Sequence, residues 1–96
     1  MSLNSINKTK VTVVGSGYVG MSLSVLLSQH NDVVVLDVDP IKVEKVNRKQ
    51  STVVDADIEA FLVEKDLSLT STLDKNLAYK GASFVVVATP TNYDSD

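Results

Sequence analysis

The chain has 96 residues, 44% of them apolar and 22% charged, with a formal net charge of -3 and no cysteine. That length supports one hydrophobic core and the composition is that of an ordinary globular domain, while apolar runs such as residues 33–36 and 84–88 fall far short of the roughly 20 residues needed to cross a membrane. The lysines are scattered rather than arrayed in a stripe that could follow a nucleic-acid backbone, and without a thiol these residues offer no disulfide, thiolate metal site or cysteine nucleophile.

Met1-Ser2-Leu3 and the polar residues after it contain no basic start followed by an apolar block, so a cytoplasmic location is expected. Lys10 to Val14 is β-branched and ends at Gly15, the pattern of a buried strand that stops in a tight turn. Tyr18 to Gln29 has helical spacing, with Val19, Leu23, Leu26 and Leu27 as its apolar face. Val33 to Val38 is nearly continuous in apolar residues, as in a parallel sheet covered on both sides. Asp39 and Pro40 then form a helix start, the aspartate as N-cap and the proline where no N–H is needed. Val43 and Val46 are expected to face the sheet.

Residues 50–56 are polar and turn-like, and Asp57 to Lys65 returns to helical spacing through Ile58, Phe61 and Leu62. A short strand is expected over Leu67 to Thr70, then a helix capped by Thr72, packed through Leu73 and Leu77 and closed by Gly81. Residues 84–88 supply a fourth buried strand, broken at Pro90. The order β-α-β-α-α-β-α-β implies parallel strands with right-handed crossovers. The expected fold is α/β and Rossmann-like, one domain over residues 1–96, with strand order 3-2-1-4 and ending before the last strands of a complete fold. A fourth strand left without its outer neighbour presents an apolar edge, so self-association is expected.

Gly15-Ser16-Gly17-Tyr18-Val19-Gly20 lies between the first strand and the first helix, the setting in which a GxGxxG pattern carries meaning. Gly15 allows the turn, Gly17 lets a pyrophosphate approach, and Gly20 brings the helix close to the strand. The anion is then met by free amides and the positive end of the helix dipole. Asp37 ends the second strand 20 residues beyond Gly17, where an acid accepts from the adenosine ribose and repels a 2′-phosphate, which favours NAD over NADP. FAD fits the motif equally, and on residue type alone Lys42 reads as a solvated face residue. Residue types alone also allow the glycines to serve packing and Asp37 to serve a turn.

The segments Gly15–Gly20, Leu36-Asp37 with Pro40 and Lys42, Thr72-Leu73-Asp74, and Ala88-Thr89-Pro90-Thr91-Asn92-Tyr93-Asp94 together resemble the N-terminal domain of UDP-glucose 6-dehydrogenases, across essentially the whole chain. The resemblance implies an NAD-dependent enzyme that oxidises the C6 hydroxyl of UDP-glucose to a carboxylate, using two NAD and a catalytic cysteine. It places Val19 and the glycines at the pyrophosphate, Asp37 and Lys42 at the adenosine ribose, Thr91 on the NAD, and Tyr18 on the side where cofactor and substrate meet. It also admits other nucleotide-sugar dehydrogenases, acting on a UDP-N-acetylmannosamine or GDP-mannose substrate. An NAD-sensing module without catalysis is the reading outside enzymes. No catalytic residue and no metal ligand is assigned within these 96 residues, and the isolated fragment is expected to be inactive. One departure from the family stands at Thr52, where proline usually follows the serine equivalent to Ser51.

Overall fold

A computed structural model describes residues 9–64 and 67–88. Four parallel strands, β1 (Lys10–Val14), β2 (Asp32–Leu36), β3 (Leu69–Thr72) and β4 (Phe84–Val87), lie in the order β3-β2-β1-β4. The helices are α1 (Tyr18–Leu27), α2 (Pro40–Asn47), α3 (Ala56–Glu64) and α4 (Lys75–Tyr79). The α/β Rossmann-like order expected from the alternation is therefore the one found.

Strand alternation divides β1 between two layers. Val11 and Val13 belong to the core with Met21, Val25, Val33, Val35, Val46, Ile58, Leu62, Leu67 and Leu69. On the opposite side, the buried Thr12 hydroxyl donates to the Ala78 carbonyl, and Lys10 Nζ donates to the carbonyls of Leu77 (2.9 Å) and Lys80 (2.5 Å). These bonds satisfy backbone acceptors at the C-terminal end of α4, which the helix itself cannot pair.

Several local expectations are revised. Helix α1 packs through Gly20, Met21, Ser24 and Val25, whereas Val19 and Leu26 are exposed. The reason is the contact at Gly20: a helix pressed against the strand there must turn the residues at +1, +4 and +5 inward, and bulky Val19 and Leu26 are left outside. The second strand ends at Leu36 rather than Val38, which is exposed: the Asp37 amide makes the last bond to β3, at Thr72, and the Asp37 carboxylate then accepts from the Asp39 amide in a turn that takes the chain out of the sheet. Strand β3 lies two residues later than expected, a shift that keeps Leu69 on the core face. The cap of α4 is Asp74, whose Oδ1 accepts from Asn76 (2.8 Å) and Leu77 (3.4 Å), while Thr72 stays in β3 and its Oγ1 accepts from the Asp74 amide.

Leu73 and Leu77 are also exposed, since so short a helix docks through Ala78 and its carbonyls instead. Gly81, at φ 74°, does follow the C-cap of α4. Phe84, Val85 and Val87 in β4 are exposed rather than buried, because β4 lies at the edge of the described sheet, where the described helices give its two faces little cover. Asp39 and Pro40 open α2 as expected, with Asp39 Oδ1 accepting from Ile41 at 2.9 Å, and Val46 is buried. No helix among the described residues is long and apolar enough to cross a membrane.

Candidate dinucleotide-binding site

The turn between β1 and α1 needs two of its glycines for its own construction. Gly15 has φ 104°, in the left-handed region that favours glycine, and its amide donates to Leu36 at 2.8 Å, tying the turn to β2. A Cβ on Gly20 would lie 2.1 Å from the Gly15 carbonyl oxygen and 2.9 Å from its carbon, so strand and helix meet backbone to backbone. Gly17 is different. It is the N-cap of α1 in an extended conformation, and a Cβ added there would meet no protein atom within 4 Å.

The packing of this protein therefore gives no reason for glycine at position 17, while a group bound over the turn would. The first amides of a helix have no acceptor within it, and Gly17 has no side chain with which to cap them. An anion seated over Gly17 would accept from these amides and meet the positive end of the helix dipole. A dinucleotide pyrophosphate fits that arrangement. Tyr18 and Val19, both exposed, line a shallow cleft with Gly17 and Ala88 beside it.

Asp37 stands at the end of β2, directly behind the turn. Its Oδ2 accepts from the Ser16 amide at 2.9 Å and from the Ser16 hydroxyl at 2.5 Å, and its Oδ1 accepts from the Asp39 amide at 3.0 Å. Partial burial pushes the carboxyl upward, but the Ser16 hydroxyl, the Asp39 and Ser16 amides and the nearby Lys42 charge together outweigh it and hold Asp37 below its ordinary value. It is thus ionised at neutral pH. A carboxylate has about four acceptor positions, and three donors already point at this one, which leaves room for one ribose hydroxyl. Lys42 sits half-buried in the first turn of α2, close enough for its charge to act on Asp37.

A cavity of about 300 Å³ opens at the C-terminal ends of β1 and β2, lined by Gly15, Leu36, Asp37, Val38, Leu73 and Tyr79, with Val14 and Lys75. Leu73, Lys75 and Tyr79 are additions to the residues picked out from sequence. Leu73 reads as core by its spacing with Leu77, and only the position of the β3–α4 connection at the carboxyl edge of the sheet marks it as a place for ligands. Thr52 is a second addition: its hydroxyl donates to the Ser16 carbonyl. Thr91 lies outside the described residues, as do Thr89, Pro90 and residues 92–96. No three His, Asp or Glu side chains among the described residues converge on a point that could hold a metal ion.

Fold, turn and acid define a dinucleotide-binding domain of the Rossmann class. Residues 9–96 match the UDP-glucose/GDP-mannose dehydrogenase family, NAD binding domain, and the chain belongs to that family. It is 51% identical over 87 residues to the UDP-glucose 6-dehydrogenase of Streptococcus pneumoniae, covering 91% of this chain and 22% of the relative. It is 41% identical to the UDP-glucose 6-dehydrogenase of Campylobacter jejuni, covering 88% and 22%. The chain thus spans about a fifth of the length of these relatives.

Among solved structures, it is similar to a GDP-mannose dehydrogenase from Pseudomonas aeruginosa in a ternary complex, with TM-score 0.71 and 28% identity, covering 90% of this chain and 21% of the other. A UDP-N-acetyl-mannosamine dehydrogenase from Staphylococcus aureus shares the fold, with TM-score 0.78 and 23% identity over 92% of this chain and 21% of the other.

Proposed function

We propose that this chain holds NAD across the carboxyl ends of β1 and β2, as part of a longer enzyme that oxidises UDP-glucose to UDP-glucuronate. The observation that carries the cofactor site is Gly17, a glycine at a helix N-terminus with empty space where its side chain would be. The pyrophosphate rests there beside Gly15, Val19 and Gly20, and the adenosine ribose reaches Asp37 with Lys42 at its side. The adenine enters the cavity between Val38, Leu73 and Tyr79. Tyr18 lies on the side where cofactor and substrate meet, and the family resemblance assigns Thr91 to the NAD as well. When bound, NAD supplies a hydride acceptor; the residues here bind and orient it.

The substrate rests on the relatives named UDP-glucose 6-dehydrogenase at 51% and 41% identity. GDP-mannose is the alternative, favoured by the structural likeness at 28% identity. No residue of this chain can serve as a cysteine nucleophile, so the oxidation itself needs residues beyond these 96. A cytoplasmic setting goes with this assignment. The test is calorimetric titration of the chain with NAD and NADP, with NAD expected to bind at least tenfold more tightly. A folded chain that binds neither would overturn the cofactor site.

We further propose that the isolated chain self-associates through β4. Phe84, Val85 and Val87 are exposed on a strand with one neighbour among the described residues, and an unpaired apolar strand recruits another. Size-exclusion chromatography is expected to show elution that shifts to larger species with concentration, and Val85→Lys should suppress the shift. A monomer across the whole concentration range would refute this.

A further inference from the structure

We infer that Thr52, in the loop between α2 and α3, is a positioning residue that fixes the peptide linking Ser16 to Gly17 and so aims the Gly17 N–H at the bound pyrophosphate. The inference rests on the NAD site proposed above. Ser16 is 1% exposed and is held from two sides. Its amide and hydroxyl both go to Asp37 Oδ2, while its carbonyl accepts from the Thr52 hydroxyl. A trans peptide sets its N–H opposite to its C=O, and no cis bond occurs among the described residues. With the Ser16 carbonyl turned to Thr52, the Gly17 N–H must point away from the loop.

Without the hydroxyl this peptide has reason to rotate, since its rotation needs changes only at Ser16 ψ and Gly17 φ, and glycine accepts nearly any φ. The loop is built to hold Thr52 still. Lys49, just past the C-cap of α2, has φ 60°, and its Nζ donates to the Leu69 carbonyl at 2.8 Å. The Ser51 hydroxyl accepts from the Val53 amide at 3.1 Å and donates to the Val53 carbonyl at 2.5 Å, closing a turn around position 52. Val53 packs on the core, and Asp55 Oδ1 accepts from the Asp57 and Ile58 amides at the start of α3. Proline at position 52 could not donate this bond, so the device depends on the threonine present here.

The test compares the chain with Thr52→Val, which keeps the shape and removes the donor, and Thr52→Ser, which keeps the donor. NAD is titrated by calorimetry, and the Ser16 and Gly17 amide resonances are followed by NMR without ligand. Thr52→Val is expected to weaken NAD binding about five- to tenfold, the effect of one hydrogen bond, and to move the Gly17 resonance. Thr52→Ser should restore both. NAD affinity unchanged in Thr52→Val, or equally weak in Thr52→Ser, overturns the role of Thr52. If the unaltered chain binds no NAD, the cofactor site fails instead, and an unmoved Gly17 resonance in Thr52→Val then overturns the positioning role on its own.

Discussion

Gly20→Ala is expected to destabilise the fold by about 3 kcal/mol, the upper end of ordinary overpacking, which in a domain of this size lowers Tm by roughly 12 to 24 °C. The added methyl would sit 2.1 Å from the Gly15 carbonyl oxygen, and both partners are backbone of a turn already fixed by the Gly15 amide bonding to Leu36. No side-chain rotation relieves that clash, so α1 must move off the sheet and open the packing of Met21, Ser24 and Val25. Gly17→Ala is the informative contrast. Its methyl meets nothing within 4 Å and its φ of -73° suits alanine, so thermal denaturation should barely change while NAD binding falls by more than tenfold. A Gly17→Ala chain that binds NAD normally would show that no ligand approaches the turn there.

The second large effect is expected at Asp37. Asp37→Ala removes the acceptor proposed for the ribose and leaves the Ser16 amide and hydroxyl without this partner. Hydrogen bonds to a charged group contribute about 1.5 to 3 kcal/mol, so NAD affinity should fall roughly 10- to 100-fold and the preference over NADP should shrink. Calorimetry with both cofactors on both chains checks this, and tighter NADP binding by the unaltered chain would overturn the role given to Asp37. Stability carries the same signature. Because the carboxyl is held below its ordinary value in the folded state, its contribution is complete above the unfolded Asp value, about pH 4. It is lost as pH falls through the lower folded value. Acid unfolding of Asp37→Asn should lack that component.

What could be read from the residue string was largely what repeats. Continuous Val-rich runs at 11–14, 33–36 and 84–87 marked three strands, and glycine spacing with the acid at 37 pointed to the candidate site. Ambiguity arose where one residue type serves two purposes. Leu26 and Leu73 are apolar at helical spacing, yet the side of α1 that packs is set by the backbone contact at Gly20, and α4 is docked by carbonyls that no side-chain pattern reveals. Thr72 and Asp74 both make good caps, and the sheet took Thr72 for β3. The bond from Thr52 to Ser16 spans 36 positions and carries no local signal at all.

The place of β1 in the sheet has a consequence for how the chain matures as it is synthesised. Val11 pairs with Val33 on one side and with Phe84 on the other, so β1, the earliest made of the four described strands, completes its pairing only when β4 arrives. The β1–β2–β3 portion can assemble while translation continues, with one edge of β1 still open and its Lys10 and Thr12 side chains awaiting the carbonyls of α4. Contacts this distant in sequence slow folding, and the open edge is a place for neighbouring nascent chains to pair wrongly. Docking of β4 covers that edge of β1. Translational pauses that hold β4 inside the ribosome should therefore lower the yield of folded protein more than pauses after β4 has emerged.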